Sequence, residues 1–220
     1  CLIQPTGSGA FVLEGFDVNG MAPAPTPITI RDCTIEASAM SEYGAAWSTG
    51  IRVLGTITGN YISGFGSGIA VMNLGDQHDC LIEGNYVANL KSWGDGATDG
   101  NHCDAFTIRD FSNATVPARQ ITVRNNRFDC TTTNATGSCF LQTYSGRIDN
   151  ALIQGNLLEG NGYNMGLNQL NAPYSNIRSI NNRFTPLGFG TYYVQGGAGF
   201  TTWSDNYLNA PGQPDNRGAV

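Results

Sequence analysis

The stretch Ile121-Thr122-Val123-Arg124-Asn125-Asn126-Arg127-Phe128 constrains the fold more than any other, because a diluted copy of it returns along the chain. With Asn126 as the anchor, apolar or neutral residues fall five and three places before it and an apolar one falls two places after it. The same register fits Cys33 (Ile28, Ile30, Ile35), Asn60 (Ile57, Ile62), Asn85 (Ile82, Val87), Asn156 (Ile153, Leu158), Asn182 (Ile177, Phe184) and Asn206 (Trp203, Leu208). Successive anchors are 27, 25, 41, 30, 26 and 24 residues apart. A period of this size belongs to a solenoid, in which each coil buries its apolar face against its neighbours. With one coil per period and strands stacked at roughly 4.8 Å, the anchors form a straight row about 29 Å long. Six of the seven are Asn, whose side-chain amides can bond from coil to coil, so the row is assigned a structural role.

A solenoid grows by adding coils, so residues 1–220 are read as one domain, with an inserted loop at 91–104. Charged residues are only 13% of the chain, and 29 Gly interrupt short apolar runs, a composition of strands and turns. The net charge of −6 argues against nucleic acid or an anionic membrane surface as the partner. No run approaches the ~18 apolar residues of a membrane span, so no membrane insertion is expected. The start at Cys1 and the stop just after the last anchor suggest a segment of a longer polypeptide, its ends covered by neighbours or further coils.

The six cysteines do not space like a disulfide framework. Cys33 and Cys80 occupy repeat positions and are expected unpaired and buried; only Cys130 and Cys139, flanking the turn Thr131 to Ser138, look able to pair locally. No Cys/His spacing suggests zinc, and Asp95, Asp99 and Asp104 lack the spacing of a calcium loop, so no metal or cofactor is expected.

The apolar cluster Phe11, Val12, Leu13, Phe16, Val18 reads as an earlier coil and Ala22 to Pro27 as a loop. Each regular coil then has its anchor strand, a turn and a second strand. Period-two alternation points Ile51, Ile69, Phe106, Phe140, Leu167 and Tyr193 inward. It puts Arg52, Ala70, Thr107, Leu141, Asn168 and Val194 on the outer sheet, where Ala70, Leu141 and Val194 suggest an assembly surface. Two places on from the inward set, Val53, Val71 and Ile108 give way to Gln142, Gln169 and Gln195, an internal amide row. A register slip of one would turn that row outward as a sugar-binding row.

Coils such as Leu81-Ile82-Glu83-Gly84-Asn85-Tyr86-Val87 resemble, over about residues 28 to 208, the right-handed parallel β-helix of the pectate-lyase-like superfamily. Asp99-Gly100-Asn101-His102-Cys103-Asp104-Ala105-Phe106-Thr107-Ile108 is similar to a stretch of β-helix domains in minor tail proteins of actinobacterial phages and related secreted bacterial proteins. So is Gly160-Asn161-Gly162-Tyr163 followed by Asn176-Ile177-Arg178 and Asn181-Asn182-Arg183-Phe184. The resemblance implies an all-β right-handed parallel β-helix of about seven or eight coils. It also implies a virion tail or extracellular location, carbohydrate as partner, and a homo-oligomer, commonly a trimer. It fixes no reaction: the chain has no Asp-Asp pair and no Gly-His-Gly, which the polygalacturonase branch usually carries.

The 41-residue step holds the candidate site, because insertions in solenoids collect as loops on one face. Lys91 to Asp104 packs Trp93, three carboxylates and one of two histidines into fourteen residues; the other, His78, is placed at the corresponding turn of the neighbouring coil. Three readings stay open. In an enzyme, His102 is a base oriented by Asp104, or Asp99 and Asp104 form the acid/base pair of a polysaccharide hydrolase or lyase. In a binding site, Trp93 stacks on a sugar ring beside Asp95, Asn101 and His78. In a structural spacer, Asp104 caps turn amides and His102 bonds within the loop. The expected function is contact with cell-surface carbohydrate, with a polysaccharide-degrading enzyme and a tail spacer as alternatives.

Overall fold

The protein is described by a computed structural model over residues 1–7, 11–14, 28–73, 78–111 and 119–219. Phe16, Val18 and the run Ala22 to Pro27 lie outside the described residues. Every pair of adjacent strands is parallel, and the strands recur three to a coil, as a parallel β-helix requires. Sheet A comprises Leu2–Ile3, Thr34–Glu36, Tyr61–Ser63, Tyr86–Ala88, Arg127–Cys130, Leu157–Gly160, Arg183–Pro186 and Tyr207–Leu208. Sheet B comprises Phe11–Glu14, Thr49–Arg52, Ser67–Asn73, Cys103–Phe111, Ala135–Gln142, Tyr163–Asn168 and Gly190–Gln195. Sheet C comprises Ile28–Arg31, Gly55–Thr58, Cys80–Glu83, Ile121–Arg124, Ile148–Gln154, Tyr174–Ile180 and Thr202–Ser204. Pairing of Phe111 with Ile148 joins sheets B and C. Parallel strands joined by crossovers wind right-handed. The strand Phe11–Glu14, paired with Thr49–Arg52, belongs to the expected earlier coil.

The anchors occupy the turn from sheet C to sheet A and form one ladder. From Asn85 onward each carboxamide oxygen accepts from both the backbone N–H and the Nδ2 of the preceding Asn, as between Asn126 and Asn85 at 2.9 and 3.0 Å, while Asn60 Oδ1 accepts from the Cys33 N–H at 3.1 Å. The same pair of bonds links Asn85 to Asn60, Asn156 to Asn126, Asn182 to Asn156 and Asn206 to Asn182. Each Nδ2 also donates to the carbonyl three places before the preceding anchor, as Asn126 does to Ile82 and Asn156 to Val123. All six Asn are buried, and this bonding is what makes their burial affordable to the fold. The residue before each anchor is left-handed: Asp32, Gly59, Gly84, Asn125, Gly155, Asn181 and Asp205 have φ between 54° and 66°. That region suits Gly, Asn and Asp, which accounts for their recurrence at this position.

Apolar rows fill the interior in register. Ile35, Ile62, Val87, Phe128, Leu158 and Phe184 face in from sheet A, and Ile57, Ile82, Val123 and Ile153 from sheet C. In sheet B the expected register holds only as far as Phe106. Phe106 stands opposite Cys139, which aligns with Met165 and Tyr192; Thr107 aligns with Phe140, Gly166 and Tyr193; Ile108 aligns with Leu141, Leu167 and Val194. Phe140 and Tyr193, expected inward, therefore stand in the outward row. Leu141, expected outside, is fully buried in the core and cannot form an assembly surface. Leu167 faces in and Asn168 out, as expected. Cys139-Phe140-Leu141 is apolar at every position, so alternation alone does not choose its phase.

All six cysteines are free, so Cys130 and Cys139 do not pair. Cys130 donates to the Cys103 carbonyl, while Cys139 faces the core from sheet B. Cys80 is buried and Cys33 half-buried, its thiol on the Arg31 carbonyl. Burial pushes the Cys80 thiol up to about 12 and that of Cys103 to about 11. Native-state thiol labelling at mildly alkaline pH should therefore modify no cysteine beyond Cys1 and Cys33, and labelling in denaturant all six; a mass showing three disulfides would overturn this.

The ladder yields a second expectation. Asn126→Ala strips the acceptor from two buried Asn85 donors and the donor from the Ile82 carbonyl. It should lower unfolding free energy in denaturant titration by roughly 3 kcal/mol or more, since each buried group left unpaired costs about 1–3 kcal/mol. Cys33→Ala, at the anchor that lacks an amide, should cost no more than about 1 kcal/mol, a single weak hydrogen bond.

Candidate functional site

The outer face of sheet B between the Cys103–Phe111 and Gly190–Gln195 strands carries a strip of side chains that the register brings together. Phe140 and Tyr193 stand on either side of Gly166, where an added Cβ would meet a ring atom of each, at 2.7 and 2.6 Å. The absent side chain lets the two rings approach across a coil, with centroids 6.3 Å apart. Tyr193 continues to Tyr163 at 4.7 Å, and Tyr163 to Phe189 at 5.8 Å. Beside this strip runs an amide row, Gln142 opposite Asn168 opposite Gln195. It is the slipped, outward form of the expected row, with Asn168 in place of Gln169.

Two adjoining hollows follow the strip. The larger, about 570 Å³, lies between Tyr163, Tyr193, Phe189 and Gln195 on one side and Asp95, Ala97, His102 and Asn134 on the other. The smaller, about 370 Å³, is lined by Arg109, Phe140, Gln142, Asn168, His102, Thr136 and Tyr193. His102, Thr136 and Tyr193 border both and make them one cleft. The His102 ring lies 3.4 Å from the Thr136 hydroxyl.

Asp104 lies beneath the smaller lobe, 2% exposed. Its Oδ2 accepts from Arg109 Nη2 at 3.1 Å, while its Oδ1 has no partner. Burial raises its pKa to about 6, outweighing the opposing pull of the Arg109 charge and a hydrogen bond from the Gly137 amide. The guanidinium of Arg109 lies 5.2 Å over the Phe140 ring and donates to Gln142 Oε1. Burial, with the Asp104 charge adding, raises the Tyr193 hydroxyl to about 12; Arg109 and a hydrogen bond with Asn168 oppose it. Asn168 is 8% exposed, and its Oδ1 is unpartnered.

The loop from Lys91 to His102 walls one side of the cleft, held by Asn101. Asn101 is 3% exposed, donates to the carbonyls of Ala46 and Lys91, and accepts from the Trp93 N–H at 2.8 Å. Ala46 ends the short helix Glu42–Ala46, capped by Ser41, and Glu42 bridges to Lys91 at 2.8 Å. Asp95 and Asp99 turn into the loop: Asp95 Oδ1 accepts from Ala97 N, and Asp99 from Asp95 N and Thr98 Oγ1. Trp93, 42% exposed, packs edge-on against Tyr43 at 5.4 Å, outside the cleft lining. Cys103 and Asp104, expected in the loop, already belong to the sheet B strand.

Of the residues singled out from the sequence, Asp95 and His102 line the cleft, Asp104 underlies it, and Asp99, Asn101 and Trp93 sit in the loop. His78 does not join them. It follows the far end of sheet B at the entry to sheet C, whereas His102 precedes the near end; the nine-residue strand between those ends spans roughly 30 Å. Arg109, Phe140, Tyr163, Tyr193 and Phe189 were not singled out as site residues; the one available signal was the amide recurrence at Gln142 and Gln195. Among the described residues, no group of three or more His, Cys, Asp or Glu is placed to hold a metal ion. Among them too, no helix is long and apolar enough to cross a membrane. Comparison with protein-family models, with curated proteins and with solved structures finds no match.

A carboxyl whose pKa rises from 3.8 to about 6 on folding holds its proton more tightly in the native state. Its contribution therefore falls as pH rises from about 4 to about 6, by roughly 3 kcal/mol in all. Asp104→Asn removes this dependence, so the stability difference between variant and wild type, from denaturant titrations at successive pH values, should shift in the variant's favour across that window. A difference constant with pH would contradict the burial of a charged Asp104.

Proposed function

We propose that this chain is an extracellular or virion tail β-helix domain that contacts cell-surface carbohydrate through the cleft on the outer face of sheet B. The observation that carries the reading is the ring strip Phe140, Tyr193, Tyr163 and Phe189 running beside the amides of Gln142, Asn168 and Gln195. Sugar rings present an apolar face and a rim of hydroxyls, and aromatic faces with adjacent amides complement both. The pectate-lyase-like and phage tail relationship is part of the same proposal, supported by the sequence resemblance and by the parallel coils, and so is a symmetric trimer.

The alternative of a polysaccharide-degrading enzyme draws on Asp104, whose raised pKa suits a general acid. Such chemistry asks for a second carboxylate across the scissile bond, roughly 5–9.5 Å away. Asp99 is bonded within its own loop, and Asp104 is held by Arg109, so binding is the better-supported reading.

A glycan array followed by titration calorimetry tests the proposal. Tyr193→Ala and Tyr163→Ala should each weaken carbohydrate binding about 10- to 100-fold, the worth of a buried aromatic face at roughly 1.5–3 kcal/mol. Trp93→Ala, against Tyr43, should change it little. Loss of binding in Trp93→Ala with no change in the tyrosine variants would move the site to the loop. Release of reducing ends or unsaturated products from a bound glycan would favour the enzyme.

A further inference from the structure

We infer that the larger lobe of the cleft recognises an ammonium group, held between the Asp95 carboxylate and the faces of Tyr163, Tyr193 and Phe189, as an unacetylated amino sugar would carry it. This rests on the carbohydrate reading above and narrows its ligand class. The smaller lobe already contains such an arrangement within the chain: the Arg109 guanidinium lies 5.2 Å over the Phe140 ring, with Asp104 as its counter-ion at 3.1 Å. The larger lobe offers the same components, ring faces and a carboxylate, but no lysine or arginine stands among its described lining residues. A cation from outside the chain completes it. Ring faces alone serve any sugar, and Asp95 gives the lobe its sign. Because an aromatic face carries negative potential, it attracts a cation as the carboxylate does, and an anion placed there meets both unfavourably. The net charge of −6 adds attraction at longer range.

Both walls are fixed before a ligand arrives. Asp95 Oδ1 accepts from the Ala97 N–H at 2.9 Å, and the Asp95 carbonyl accepts from the amides of Thr98, Asp99 and Gly100. The Gly96 N–H donates to Asn134 Oδ1 at 3.4 Å, which ties the loop to a second residue of the lining. On the opposite wall Phe189, 74% exposed, is the most exposed large apolar side chain among the described residues. Its backbone is nevertheless held. The Phe189 N–H donates to the Asn161 carbonyl at 3.3 Å, and Gly188 packs so close to that carbonyl that an added Cβ would lie 1.6 Å from its oxygen. A ring anchored at the rim of a hollow with its surface left to water is placed for a ligand to cover. In a hollow of about 570 Å³, the size of a small-ligand site, that ring and its two tyrosine neighbours lie across from the carboxylate.

Calorimetry on the full chain decides it, at about pH 7, where an ordinary amine is charged and an ordinary imidazole, such as that of His102 on the same lining, is largely neutral. The probes are chitotriose, which carries free amines, triacetylchitotriose, the same backbone with those charges removed, and choline, a permanent cation without a sugar. Chitotriose should bind at least tenfold more tightly than triacetylchitotriose. Independently of any variant, that preference should shrink at least threefold between about 50 and about 500 mM salt, because screening weakens charge pairing. Asp95→Asn, which keeps the acceptor for Ala97, and Phe189→Ala, at an exposed side chain, should each weaken chitotriose binding at least fivefold. Choline binding more weakly than chitotriose assigns the ammonium to the amino sugar; choline binding more tightly, and losing affinity in Asp95→Asn, assigns it to a quaternary substituent of the glycan. Triacetylchitotriose binding as tightly as chitotriose, or a preference that survives Asp95→Asn, overturns the proposal while leaving the carbohydrate reading standing. Absence of binding by both chitotriose and choline also overturns it, and the glycan array then decides the carbohydrate reading separately.

Discussion

The amide ladder at the turn from sheet C to sheet A is the interaction on which the rest of the structure depends. Six buried carboxamides would be a heavy liability if any were left unpaired. Each is satisfied mainly by groups of the adjacent coils, which must stand at one height and in one register to supply the bonds. The ladder therefore locks coil to coil more specifically than the apolar rows beside it, which tolerate sliding. The left-handed residue before each anchor turns the chain so that the carboxamide points along the stack.

Register set in that corner carries round to the functional face. Inward rows on sheets A and C pack against those of sheet B, as where the Phe106 ring lies parallel to Phe128 at 5.2 Å. Once Cys139, Met165 and Leu141 face in, Phe140 and Gln142 must face out, because successive strand residues alternate. The outer strip of rings and amides is thus the reverse side of core packing. Gly166 completes it by leaving space for two aromatic neighbours across one coil.

The loop of the longest coil adds the wall and the charged floor. Asn101 and the Glu42–Ala46 helix hold the backbone of that wall, while Asp104 and Arg109 sit where the loop has become strand. Burying a carboxylate and a guanidinium together sacrifices some stability to hold both in one geometry. The result is a cleft in which Arg109, the one lysine or arginine among the described lining residues, is oriented and paired by a carboxylate.

Read alone, the sequence determined the solenoid and its ladder. Asn60, Asn85, Asn126, Asn156, Asn182 and Asn206 recur with flanking apolar residues at fixed offsets, and a local pattern repeated seven times leaves little else to fold into. It also marked the long coil, with His102, Asp95 and Asp104 in or beside the cleft. Tertiary structure alone decided the phase of the later sheet B strands, because Cys139-Phe140-Leu141 and Tyr192-Tyr193-Val194 are apolar throughout and periodicity does not discriminate their faces. It decided the partners of Trp93 and Asn101, which read as ligand contacts but pack against Tyr43 and the Ala46 carbonyl from an earlier coil. It also separated His78 from His102, since distance across a solenoid depends on which corner each turn occupies. Side-chain contacts between coils join residues about a period apart, and one sequence records the period but not which neighbour each side chain meets.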